Sequence, residues 1–109
     1  MPHLVILYTR QLDQEVNMTS LCRQLADAML TVKDESGKQV FPTGGTRVLA
    51  YPAAHFAVAD GGAAGIAAGS DGDYAFAYLN LRMGRGRTDA TQKLAGETLL
   101  AVAKAFFAP

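Results

Sequence analysis

Asp73-Tyr74-Ala75-Phe76-Ala77-Tyr78-Leu79-Asn80-Leu81-Arg82 is the stretch on which the fold turns. Tyr74, Phe76 and Tyr78 face one way; Ala75, Ala77, Leu79 and Leu81 face the other. A period of two marks a strand. Both faces are apolar over most of its length, so a central strand covered on both sides is expected. The small alanines predict close packing against a helix. Downstream, Gly84 and Gly86 make a turn. Thr88-Asp89 then opens a helix with a capping hydroxyl and an acidic first turn. Leu94, Leu99, Val102 and Phe106 are expected on its buried side, with Lys104 near its end and Pro109 beyond.

Upstream, residues 60–72 contain five glycines and four alanines. Glycine loses the most entropy on ordering, so a mobile loop or hairpin tip is expected. Asp60, Asp71 and Asp73 border it, where turn residues belong. Residues 46–51 alternate Arg47, Leu49 and Tyr51 against Val48 and Ala50, a second strand that Pro52 stops or confines to an edge. Phe41-Pro42-Thr43-Gly44-Gly45 and Lys33-Asp34-Glu35-Ser36-Gly37 punctuate the chain as turns. Between residues 17 and 32, Leu21, Leu25 and Met29 recur every four residues, widened by Cys22, Ala26 and Leu30. That is a helix, with Asn17 or Thr19 as its cap and an end near Val32. Residues 9–15 are a polar connection. His3 to Tyr8, with Val5 and Ile6, is a short buried strand at the start of the chain.

The order is strand, helix, strand, loop, strand, helix. It predicts one α/β (α+β) domain over residues 1–109: two strand–helix units with a strand between, and both helices on one face of a mixed, mainly parallel sheet. The opposite sheet face is then left uncovered, which predicts oligomerisation.

Composition narrows the function. Half of the 109 residues are hydrophobic, and ten basic residues balance ten acidic ones. Zero net charge argues against a general nucleic-acid binder. A single cysteine excludes an internal disulfide and a cysteine-based zinc cluster, and two histidines are too few for a histidine-rich metal site. No apolar run reaches the roughly 20 residues of a membrane helix. The start has no positive charge ahead of its apolar stretch, unlike a secretory signal. A soluble cytoplasmic domain is expected, with no membrane partner.

Pro2 is the position with the most distinctive chemistry. With Met1 removed, its nitrogen is a secondary amine. An α-amino group titrates at about 7.7–8.0, and an apolar pocket or nearby cations lower that. The amine is then a neutral base near pH 7 and an acid once protonated. With Met1 retained, the same nitrogen is a tertiary amide without basicity. Proline at this position also simply permits methionine removal.

Arg82, Arg85 and Arg87 cluster before the last helix, where a carboxylate or phosphate would find guanidinium and backbone N–H donors. A solvated turn is the plain alternative. The spacing is no dinucleotide or Walker fingerprint. Arg47, after Gly44-Gly45, could supply a second clamp for a dianion. His3 alternates away from Pro2 and reads as structural. His55 reads as a solvated loop residue, Cys22 as a small core residue, and Tyr8, Tyr51, Tyr74 and Tyr78 as core or interface.

Met1-Pro2-His3-Leu4, Gly44-Gly45-Thr46-Arg47-Val48, Ala59-Asp60-Gly61, Asp73-Tyr74-Ala75-Phe76, Met83-Gly84-Arg85-Gly86-Arg87 and Ala95-Gly96-Glu97 occur in this order. Together they resemble the 5-carboxymethyl-2-hydroxymuconate Δ-isomerase family of the tautomerase superfamily. The resemblance implies a trimer of two β-α-β units related by a pseudo-twofold. It implies a cofactor-free isomerase that moves a proton on a small unsaturated oxo-acid or dienol in aromatic catabolism. It puts the general base at Pro2 and a catalytic cation at Arg47. Arg87, with Arg85 beside it, would bind the carboxylates of the substrate. The chain departs from the family pattern at Leu7 and Leu49, in the length of 61–72, and in ending at Pro109 soon after the last helix. A trimeric carboxylate-binding module without this catalysis is the alternative. A phosphate or nucleic-acid binder through Arg82, Arg85 and Arg87 is a third class, which zero net charge opposes.

Overall fold

The structure is a computed structural model that describes residues 2–69, 72 and 74–108. Met1, Pro109 and the turn positions Asp71 and Asp73 lie outside the described residues. The elements are β1 (His3–Thr9), α1 (Leu12–Glu15), α2 (Met18–Met29), β2 (Arg47–Ala53), α3 (Ala63–Ala67), β3 (Ala77–Arg82) and α4 (Asp89–Phe107).

The strands form one mixed sheet in the order β2-β1-β3. β1 runs parallel to β2, with His3 opposite Arg47, and antiparallel to β3, with His3 opposite Arg82. The expected central strand is therefore an edge among the described strands, and β1 holds the centre. The reason lies in the open face. Tyr78 is 60% exposed although it sits in an apolar run. Apolar residues on both sides of that stretch reflect an uncovered sheet face, not a second layer. Leu7, Leu49 and Tyr51 are exposed on the same face. Only 77–82 is strand. The phenol of Tyr74 turns to Asp60, and Phe76 stacks edge-on against Phe56, so the expected three-residue aromatic row is reduced to Tyr78.

Both helices pack on the other face, where Leu4, Ile6 and Tyr8 of β1 join Leu21, Leu25 and Met29 of α2 and Ala95 and Leu99 of α4 in one buried cluster. Asn17 is the N-cap of α2; its side chain accepts from the Ser20 N–H at 3.0 Å. The helix stops at Met29, and buried Val32 already belongs to the next turn. Thr88 caps α4 as expected. The buried stripe of α4 is Thr91, Ala95, Leu99 and Ala103, spaced by four. Leu94 lies one position off that stripe, rotated by about 100°, and is 45% exposed rather than buried.

Residues 60–69 are more ordered than their composition predicts. They hold one helical turn, α3. The carboxylate of Asp60 accepts from the Gly62 N–H at 2.8 Å and from the Tyr74 hydroxyl at 3.0 Å. That hydroxyl accepts in turn from the Gly65 N–H at 2.6 Å. Gly62 has φ +86°, and a β-carbon there would lie 2.7 Å from the Gly72 carbonyl oxygen, so only glycine fits. The side chains that fix the loop stand at its borders, where composition inside it is silent. The Gly62 N–H, first among several hydrogen bonds, holds the Asp60 carboxyl below its usual range. A lowered carboxyl stabilises the fold above its unfolded value and loses that contribution as pH falls through the folded one. The Gly62 and Ala64 amide resonances are therefore expected to titrate together with a midpoint below the usual aspartate value of about 3.9. Replacing Asp60 by asparagine should abolish that titration.

Candidate active site

Pairing β1 parallel to β2 and antiparallel to β3 gathers three chain segments at one end of the sheet. The start of β1, the start of β2 and the end of β3 meet there. Pro2 precedes β1 and is half-buried. Its carbonyl accepts from the Arg47 backbone N–H at 3.2 Å, which ties it to β2. On the other side the chain leaves β3 through Met83-Gly84-Arg85-Gly86-Arg87 and folds back past Pro2. Gly86 makes that return at φ +89°.

The result is a cavity of about 130 Å³ lined by Pro2, Val40, Phe41, Pro42, Met83, Gly84 and Arg87. Its walls are mostly apolar, and Arg87 is the one cation among the described residues that line it. One Nη of Arg87 donates to the Val40 carbonyl at 3.1 Å. A guanidinium has five N–H donors, so this bond orients the group and leaves others for an anion. The Asp34 carboxyl lies near enough to feel the Arg87 charge. It is held below its usual range mainly by hydrogen bonds from Ser36 and Lys38, with Arg87 a smaller cause.

The expected site residues do not all converge. Pro2 and Arg87 share the cavity. Arg47 adjoins Pro2 through its backbone, but its guanidinium donates to the carbonyls of Gly44 at 2.8 Å and Thr46 at 3.1 Å. In register, Arg47, His3 and Arg82 form one row across the open sheet face, outside the cavity walls. Arg85 is exposed and makes no hydrogen bond or ion pair among the described residues. Phe41 and Pro42 were hidden in a segment that reads as a turn, with Val40 just before it. The one signal was an aromatic residue among turn formers, and Phe41 is indeed only 1% exposed.

Two broader clefts of about 820 and 810 Å³ lie at the far end of β1, around Tyr8 with Asp13 and around His55 with Arg10. Tyr8 donates to Asp13 at 2.8 Å. Burial, then this bond, pushes its phenol up to about 12, so it does not ionise near neutral pH. Burial also raises the Cys22 thiol, which keeps it protonated and unreactive. Among the described residues, no three His, Cys, Asp or Glu side chains are placed to hold a metal ion.

The resemblance put Pro2, Arg47, Arg87 and Arg85 at one site; of these, only Pro2 and Arg87 line the cavity. In comparison with known sequences, the sequence pattern of 5-carboxymethyl-2-hydroxymuconate isomerase matches residues 2–109. The chain belongs to the 5-carboxymethyl-2-hydroxymuconate isomerase family. The family assignment makes the protein an isomerase. A crystal structure of a 5-carboxymethyl-2-hydroxymuconate delta-isomerase is 67% identical, with a TM-score of 0.95 over 100% of this chain and 72% of that one. The structure of a 5-carboxymethyl-2-hydroxymuconate isomerase from Deinococcus radiodurans R1 is 32% identical, with a TM-score of 0.76 over 98% of this chain and 69% of that one. No curated protein matches the chain significantly. The fold is tautomerase-like, as the ordered motifs implied. No helix among the described residues is long and apolar enough to cross a membrane.

Proposed function

We propose that the protein moves a proton, without a cofactor, on a small unsaturated oxo-acid or dienol of the 5-carboxymethyl-2-hydroxymuconate kind. The observation that carries this reading is the shared cavity of Pro2 and Arg87. Once Met1 is removed, Pro2 presents a secondary amine. Apolar Val40, Phe41 and Met83 disfavour the charged ammonium, and the nearby Arg87 cation does the same. The neutral amine takes a proton from the dienol, and the ammonium returns it to carbon. Negative charge grows on the substrate oxygen during the transfer, and a fixed cation stabilises it.

Arg87 holds the substrate carboxylate nearest Pro2, and exposed Arg85 meets the distal end. Arg47 adds a second cation when its guanidinium turns from the Gly44 and Thr46 carbonyls. The open face with Leu7, Leu49, Tyr51 and Tyr78 supports a homotrimer. The test is ketonisation of a 2-hydroxymuconate-type dienol, followed by ultraviolet absorbance with protein whose mass shows Met1 absent. Turnover far above buffer is expected. A folded, processed oligomer that leaves the dienol at its buffer rate would overturn the reading.

A further inference from the structure

Residues 33–37 read as a polar turn, and the reaction just described does not use them. In the structure Val32 to Val40 is a tight hairpin. The Val40 N–H donates to the Val32 carbonyl at 3.0 Å, and the Asp34 N–H to the Lys38 carbonyl at 2.9 Å. The Asp34 carboxylate closes the tip, accepting from the N–H groups of Ser36 and Lys38 at 3.0 Å each. Gly37 completes the turn at φ +81°, where glycine alone is at ease.

This hairpin grips the start of α4 at two places. At its tip, one oxygen of the exposed Glu35 accepts from the Thr88 hydroxyl and, at 3.2 Å, from the Thr91 hydroxyl. Thr88 is the residue after Arg87, and its own hydroxyl accepts from the Thr91 N–H at 3.1 Å to cap the helix. At the hairpin base, the Val40 carbonyl accepts from the Arg87 guanidinium at 3.1 Å. The backbone beside Arg87 and the end of its side chain are thus both held by one hydrogen-bonded hairpin distant in sequence. An arginine held only by its own flexible stem would spend its rotamer entropy on every ligand it bound.

We infer that the 32–40 hairpin, acting through Glu35, is the positioning element that fixes the Arg87 guanidinium at the Pro2 cavity, so that Glu35 sets how tightly the substrate carboxylate is held. The inference rests on the reading of Arg87 as a carboxylate ligand. Glu35 itself touches no substrate. It is exposed, so its removal should cost little global stability.

The experiment compares Glu35→Ala, Glu35→Gln and Arg87→Ala with the unaltered protein on the same dienol, alongside thermal melting. NMR of the ¹⁵N-labelled guanidinium reports how freely the Arg87 side chain rotates. Glu35→Ala is expected to raise KM by about 3- to 10-fold, the net size of one ordinary hydrogen bond, since Glu35 acts on the ligand only through Arg87. It should leave kcat and the melting temperature nearly unchanged and free the guanidinium rotation. Glu35→Gln keeps an accepting oxygen and is expected to restore most of the affinity and the restricted rotation. If Arg87→Ala raises KM while Glu35→Ala changes neither KM nor rotation, the inference is overturned and Arg87 keeps its role. If Arg87→Ala leaves KM unchanged, the carboxylate role of Arg87 falls and the inference falls with it.

Discussion

A form of the protein carrying one uncleavable residue before Pro2 is expected to turn over the dienol about 10²- to 10⁴-fold more slowly than the processed form, the span that a positioned acid–base group contributes. The added residue converts a secondary amine into a tertiary amide and changes nothing else in the chain. The half-buried ring of Pro2 and its carbonyl bond to the Arg47 N–H can both persist, so the cavity keeps its walls. Loss of rate without loss of fold, read by kcat/KM and by the thermal melt, isolates the nitrogen. Pro2→Ala should cost less than blocking. A processed alanine still offers a primary amine in the ordinary range of about 7.7–8.0, though without the ring that fixes its direction.

The second large effect falls on stability. Phe41 is 1% exposed and packs in the core cluster while also walling the Pro2 cavity. Phe41→Ala is expected to cost about 3–5 kcal/mol, because the lost transfer energy adds to the void left behind. The urea midpoint should fall while its slope stays constant, the sign that the same surface is exposed on unfolding. Activity at a temperature where the variant is folded should fall too, since the Pro2 cavity loses an apolar wall. Tyr78, 60% exposed on the open face, offers the contrast. Truncating it should scarcely move the stability of an isolated subunit, because little is buried by it there.

Periodicity read α2 well because it buries one stripe of large residues, whereas α4 buries Thr91, Ala95, Leu99 and Ala103, and only Leu99 of its expected stripe is among them. Leu21, Leu25 and Met29 are fully buried, and Asn17 and Thr88 cap as their chemistry predicts. The sheet was harder. An apolar strand face looks the same in sequence whether a helix layer, a partner subunit or nothing covers it, which is why β3 read as central. Of the candidate site, the chemistry of Pro2 and the cation cluster ending at Arg87 stood out in the sequence, and the two line one cavity. The sequence was silent where function depends on contacts across the chain. Nothing local to Glu35 announces that it meets Thr88, 53 residues away. Nothing near Arg47 shows that its guanidinium settles on the carbonyls of its own loop rather than in the cavity.

The central claim is that Pro2 is a neutral amine when the substrate arrives. A ¹⁵N-proline titration of the processed protein, set beside the pH profile of kcat/KM, tests it most directly. The account predicts that the Pro2 nitrogen titrates below the ordinary α-amino value of about 7.7, and that the rising limb of the profile shares its midpoint. A Pro2 nitrogen that titrates well above that value, or a profile that passes through its midpoint without a change in rate, would contradict the account.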